Sequence, residues 1–156
     1  MATENMDNIS DRQITTIRIF NAPREIVFSA WTNPELLKQW WGPKGFTNTF
    51  HGFDLRPGGN WKFIMHGPDG GNYHNESTFI EINEPERIIL KHISKPHFQL
   101  TASFEEVDKT KTKLTFQQLF ETVEVCNKVK VYAVDANEEN MDRLDAVLKT
   151  VEKNQS

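Results

Sequence analysis

Between Phe46 and Phe120 the apolar side chains recur at every second residue, and beyond Thr122 they recur at spacings of three, four and seven. A change from strand period to helix period, made once and late, restricts the fold sharply. The strands must bury one face, and a long run of short-linked strands favours an antiparallel meander. Such a sheet curls as its twist accumulates. The final helix is the one element long enough to fill the hollow.

The alternation is clearest where Trp61, Phe63 and Met65 share one face and Lys62, Ile64 and His66 share the other. Phe46, Phe53 and Leu55 belong to the aromatic-rich strand before it, and Arg56-Pro57-Gly58-Gly59 turns the chain between the two. Gly67-Pro68-Asp69-Gly70 fits a type I turn. Further strands are predicted near Tyr73–Ile82, Arg87–Ile93, Phe98–Glu106 and Lys113–Phe120. In the last helix Val134, Met141, Leu144, Leu148 and Val151 form the predicted buried stripe, and Asp142, Arg143, Asp145 and Lys149 the wet face. Its first half, Val123–Tyr132, is rich in β-branched residues and reads less clearly as helix.

Upstream, residues 1–10 are polar and read as a frayed tail. A first strand runs from Ile14 to Phe20, with Ile17 and Ile19 on one face. Pro23 opens a helix over Arg24–Trp31. Asn33-Pro34-Glu35 supplies a cap, a proline and a first-turn acid for a second helix, and Gly42-Pro43 ends it. The expected architecture is α+β, a curved antiparallel sheet of about six to seven strands gripping a long C-terminal helix, with two short helices after the first strand. Residues 11–156 are expected to form a single domain.

Composition narrows the function. Lys plus Arg is 18 and Asp plus Glu is 22, a formal net charge of −4, which argues against a nucleic-acid surface. No stretch has the apolar length of a membrane span. A single cysteine, Cys126, leaves no internal disulfide, so a reducing, cytoplasmic setting is expected.

Catalytic constellations are scarce: there is no phosphate loop, no nucleophile elbow and no metalloprotease helix motif. His66, His74 and Glu76 are the best zinc set, without a tight spacing to support it, so no metal or other cofactor is expected. Adjacent Glu105 and Glu106 point to opposite faces and cannot flank one bond. Asp54 and Arg56 share a face, so Arg56 is either half of an ion pair or an anchor for a ligand's polar group. The aromatics carry the strongest signal. Trp40, Trp41, Trp61, Phe63, Met65, Phe98, Leu100 and Phe116 are candidates to line a pocket, and Tyr73, Asn75 and Gln118 to orient a ligand within it.

Several ordered motifs then carry a resemblance. Phe20-Asn21-Ala22-Pro23-Arg24-Glu25-Ile26-Val27-Phe28, Trp31-Thr32-Asn33-Pro34 and Gln39-Trp40-Trp41-Gly42-Pro43 resemble the START-like superfamily, in the branch named after the C-terminal domain of the activator of Hsp90 ATPase. The match continues through Asp54-Leu55-Arg56-Pro57-Gly58-Gly59, Gly67-Pro68-Asp69-Gly70, Glu81-Ile82, Pro85-Glu86-Arg87 and Met141-Asp142-Arg143-Leu144, covering about residues 14 to 150. The resemblance implies a helix-grip fold with a cavity between sheet and helix. Leu37, Val134, Met141 and Leu144 join the candidate lining on that basis. Many relatives carry Gly-Trp ahead of the last helix's Leu-x-x-Leu, where this chain has Ala136-Asn137, so its cavity wall is expected to differ there. The resemblance implies a non-catalytic binder of a small hydrophobic molecule, aromatic or lipid-like. A partner of an Hsp90-type chaperone and a polyketide cyclase- or hydrolase-like enzyme are the alternatives. A monomer or weak dimer is expected.

Overall fold

The computed structural model describes residues 11–155, with side chains through Val151; the predicted 1–10 tail lies outside the described residues. The elements are β1 (Gln13–Phe20), α1 (Arg24–Thr32), α2 (Pro34–Trp40), β2 (Thr47–Phe53), β3 (Asn60–His66), β4 (Asn72–Asn83), β5 (Arg87–His92), β6 (Phe98–Asp108), β7 (Lys111–Phe120) and α3 (Val123–Gln155). The strands form one antiparallel sheet in the order β1-β7-β6-β5-β4-β3-β2. This is the α+β helix-grip arrangement, and β2 to β7 are the expected meander. Register shifts at Phe50/Gly52, Phe79/Glu81 and Glu106/Asp108 place bulges in β2, β4 and β6, and such irregularities bend a strand and increase its local twist.

The concave face is set by strand parity. Trp61 and Phe63 on β3, Ile88 and Leu90 on β5, Leu100, Ala102 and Phe104 on β6, and Leu114 and Phe116 on β7 are buried in one core with α1, α2 and α3. On β1 the parity is the reverse of what Ile17 and Ile19 suggest: both are exposed, and Ile14, Thr16 and Phe20 face inward. Apolar residues occupy both phases of that short strand, so alternation alone does not choose between them.

Asn33 caps α2, its side chain accepting from the Glu35 N–H at 3.0 Å, and Pro34 sits in the first turn. Helix α3 begins at Val123, so its β-branched first half is helical. Thr122 stands where it caps the helix, its hydroxyl accepting from Val125 N at 3.1 Å. Cys126, Val129 and Ala133 are buried with Ile14 and Phe120. That burial outweighs the few tenths of a kcal/mol per residue by which valine disfavours helix. Arg18 of β1 ties the helix midsection down, bonding Asp142 and Glu138 at 2.8 Å each.

Candidate functional site

Between the concave sheet and α3 lies a cavity of about 470 Å³, within the usual range for small-molecule sites. Phe63 and Met65 of β3, Leu90 of β5, Phe98 and Leu100 of β6 and Phe116 of β7 form its sheet wall. Val129, Ala133 and Ala136 of α3 face them. The α2–β2 connection supplies Trp41, Gly42, Pro43 and Phe46. Tyr73, Lys95 and Tyr132 also line it and are exposed, so they mark the mouth.

Of the residues singled out from the sequence, Trp41, Phe63, Met65, Tyr73, Asn75, Phe98, Leu100, Phe116 and Gln118 come together on this wall. The others lie elsewhere. Leu37, Trp40, Trp61, Met141 and Leu144 are packed in the core behind it; Trp40 Nε1 donates to Ala30 O at 3.0 Å. Val134 is 47% exposed on the far side of α3, because the inward face runs through Val129, Ala133, Ala136, Asn137 and Asn140 instead. Arg56 sits at the β2–β3 turn, exposed and bonded to Asp54 Oδ2 at 2.9 Å, which is the ion-pair reading of that motif. His66 Nε2 and Nδ1 lie 2.7 Å from Thr49 Oγ1 and Asn72 Oδ1, so both ring nitrogens are taken up.

Two features escaped sequence reasoning, and the third is the pairing of two residues that it named separately. The first is the clip that holds the rim. Arg143, placed on the wet face from its spacing, donates to Gln39 O (2.8 Å), Trp41 O (3.3 Å), Gly42 O (2.8 Å), Pro43 O (3.0 Å) and Phe46 O (2.9 Å). Its partial burial pulls its pKa below the ordinary arginine value. Asn140 adds a bond to Trp40 O at 2.7 Å and accepts one from Gly42 N at 3.2 Å. Glu139 accepts from Lys44 N at 3.1 Å. Gly42 itself has φ +97°, and a Cβ there would meet Met65 Cε at 2.7 Å, so the rim requires glycine at this point.

The second is His92, buried on the wall and stacked on Phe98 with ring centroids 4.6 Å apart. Nδ1 lies 2.8 Å from Pro96 O and Nε2 2.8 Å from Asn75 Oδ1, while Asn75 Nδ2 donates to Tyr73 O at 3.0 Å. Two oxygen partners suit an imidazolium. Burial acts the other way and, aided by His97, holds the pKa below 6.5 against the pull of the Pro96 and Ser94 backbone groups. In the neutral ring Nδ1 keeps its proton for Pro96 O. The unfolded chain then binds a proton near pH 6.5 that the folded chain refuses. Stability contributed by neutral His92 is therefore complete above pH 6.5, falls as pH drops through that value, and levels off below the folded pKa. The melting temperature is expected to fall between pH 7.5 and 5.5, with a shallower slope in His92→Gln; equal slopes would contradict this assignment.

The third is a pair of carboxamides, Gln118 on β7 and Asn137 on α3. Asn137 Nδ2 donates to Gln118 Oε1 at 3.0 Å across the cavity wall.

A model of the family described as activator of Hsp90 ATPase homolog 1-like protein matches residues 21–149. Among proteins of curated description none matches significantly. Solved structures with this fold include a protein from Nitrosomonas europaea (21% identity, 90% of this chain and 96% of that chain covered, TM-score 0.82). A protein from Arthrobacter aurescens is similar at 23% identity, 92% and 89% coverage and TM-score 0.84. One from Mycobacterium smegmatis is similar at 23%, 92% and 95%, and 0.81. At such identities these likenesses speak for the fold alone. The match to the family model spans most of the sequence and takes in the two short helices, the whole meander and the Arg143 clip, and the chain belongs to the activator of Hsp90 ATPase homolog 1-like family.

Proposed function

We propose that the protein binds a small, mostly apolar molecule in the cavity between the sheet and α3, holding it without chemical change. The observation that carries this reading is the cavity's composition: Trp41, Phe63, Met65, Phe98, Leu100 and Phe116 give it an apolar wall, and burial of a ligand's apolar surface against them would drive binding. His92 has both ring nitrogens engaged by neighbours, and among the described residues no serine, threonine or cysteine side chain bonds to its ring as a nucleophile would to its base. That supports carriage over a cyclase- or hydrolase-like reaction.

Quinoline, an uncharged apolar bicycle at neutral pH, serves as a first probe. At a hundredfold excess over its Kd it should stabilise the fold by about 2.7 kcal/mol, raising the melting temperature by about 5–10 °C. A folded protein whose melting temperature and aromatic resonances ignore quinoline and other apolar bicycles would sink the reading. The family's name supports a second reading, contact with an Hsp90-type chaperone. Recovery of that chaperone on immobilised protein, undiminished when quinoline occupies the cavity, would favour it.

A further inference from the structure

We propose that the ligand enters with an uncharged amide-type edge, a hydrogen-bond donor beside an acceptor, and that this edge docks on Gln118 and Asn137. The inference rests on the cavity being the binding site and specifies what that site selects.

Gln118 is 9% and Asn137 8% exposed, and both line the cavity. Two facing carboxamides can close a ring with two hydrogen bonds. Here one forms, from Asn137 Nδ2 to Gln118 Oε1. Among the described residues, nothing in the protein takes up the Gln118 N–H2 group or the Asn137 Oδ1. Among the described residues, the polar side-chain atoms that are fully enclosed without a partner are Arg24 Nε, Trp31 Nε1, Asn48 Oδ1 and Trp61 Nε1. Gln118 Nε2 and Asn137 Oδ1 are not among them, so both keep open space, and for two buried wall residues that space is the cavity. Turning both amides over exchanges the roles and leaves the same inventory: one N–H2 and one oxygen, side by side.

Charge selects in the same direction. Among the described residues, no aspartate, glutamate or arginine lines the cavity. Burial keeps His92 neutral, and Ser77 is uncharged. Lys95, the one permanent cation on the wall among the described residues, is exposed at the mouth. A carboxylate driven down to Gln118 would lose its hydration without gaining a counter-ion, a costly exchange. A lactam, primary carboxamide or imide loses less and finds both partners waiting. A hydrocarbon of the same shape leaves the pair unpaired, which a site built to hydrogen-bond discriminates against.

Four probes separate these terms by isothermal titration at pH 7.5: quinolin-2-one, its N-methyl derivative, quinoline, and quinoline-2-carboxylate. The lactam is expected to bind about tenfold more tightly than the N-methyl compound and than quinoline, since each of these keeps an acceptor but lacks the N–H, a difference of one hydrogen bond, and the carboxylate more weakly still. Asn137→Leu should abolish the lactam's advantage over quinoline, read as the ratio of the two affinities in the same variant. Gln118→Met, unbranched and of similar volume, provides the same test should the first variant fold poorly. Equal binding of lactam and quinoline, tight binding of the carboxylate, or a preference that survives both substitutions would overturn the inference and leave the cavity reading intact. No binding of any probe to folded protein would overturn both.

Discussion

Replacing Arg143 with methionine will destabilise the fold by about 3 kcal/mol and loosen one wall of the cavity. The guanidinium serves five backbone carbonyls between Gln39 and Phe46. Gln39 lies in the last turn of α2, whose carbonyls lack intrahelical partners, and 41–46 belong to no strand or helix. A hydrogen bond to a charged group contributes about 1.5–3 kcal/mol, and a buried acceptor left bare costs about 1–3. Several of the five groups are partly wet, so the sum is well below five times either figure. The melting temperature should fall by about 6–12 °C. Arg143→Lys should recover only a minor part, because an ammonium has three donors and no planar fork to span the loop. Hydrogen exchange gives the local signature. The amides of Gly42 and Lys44, which donate to Asn140 and Glu139, should exchange faster in the variant than the β6–β7 ladder does. A uniform rise across the molecule would mean that Arg143 supports global stability alone and not the rim.

The second large effect is expected at Trp61. It is 1% exposed and stacks on Phe63 with centroids 4.4 Å apart, with Trp41, Phe50 and Phe53 at 5.1, 5.5 and 5.9 Å. Trp61→Ala removes the centre of this cluster. It should cost about 3–5 kcal/mol, or about 6–20 °C in melting temperature. Trp61→Phe should cost far less than its lost volume implies. The indole Nε1 is enclosed and has no partner, and removing an unsatisfied buried donor offsets part of the cavity penalty. If Trp61→Phe is as damaging as Trp61→Ala, the N–H has a partner that the geometry does not reveal.

These two residues illustrate what a sequence discloses. Trp61 sits in a strand whose inward and outward residues differ plainly, bracketed by turn residues, so its burial could be read directly. Its place behind the cavity wall could not, because alternation gives the face of a strand and not the depth of a layer. Arg143 looks like any solvated helix residue by periodicity. Its partners are backbone carbonyls about a hundred residues away, which no side-chain pattern records. The inward face of α3 was hidden for a related reason. It is built from Ala133, Ala136, Asn137 and Asn140, small or polar residues that a hydrophobic stripe overlooks, and the search for apolar spacing settled on the exposed Val134 instead. His92 did leave a signal, since it shares parity with the buried Ile88 and Leu90; an inward histidine at a strand end is where a polar wall group would be sought.

Intermolecular nuclear Overhauser effects from bound quinoline test the cavity most directly. Cross-peaks are expected from its ring protons to Met65, Leu100 and Ala133, which line the cavity from β3, β6 and α3. Cross-peaks confined to exposed groups such as Val131 or Ile80, with those three silent in the folded, quinoline-saturated protein, would contradict the account.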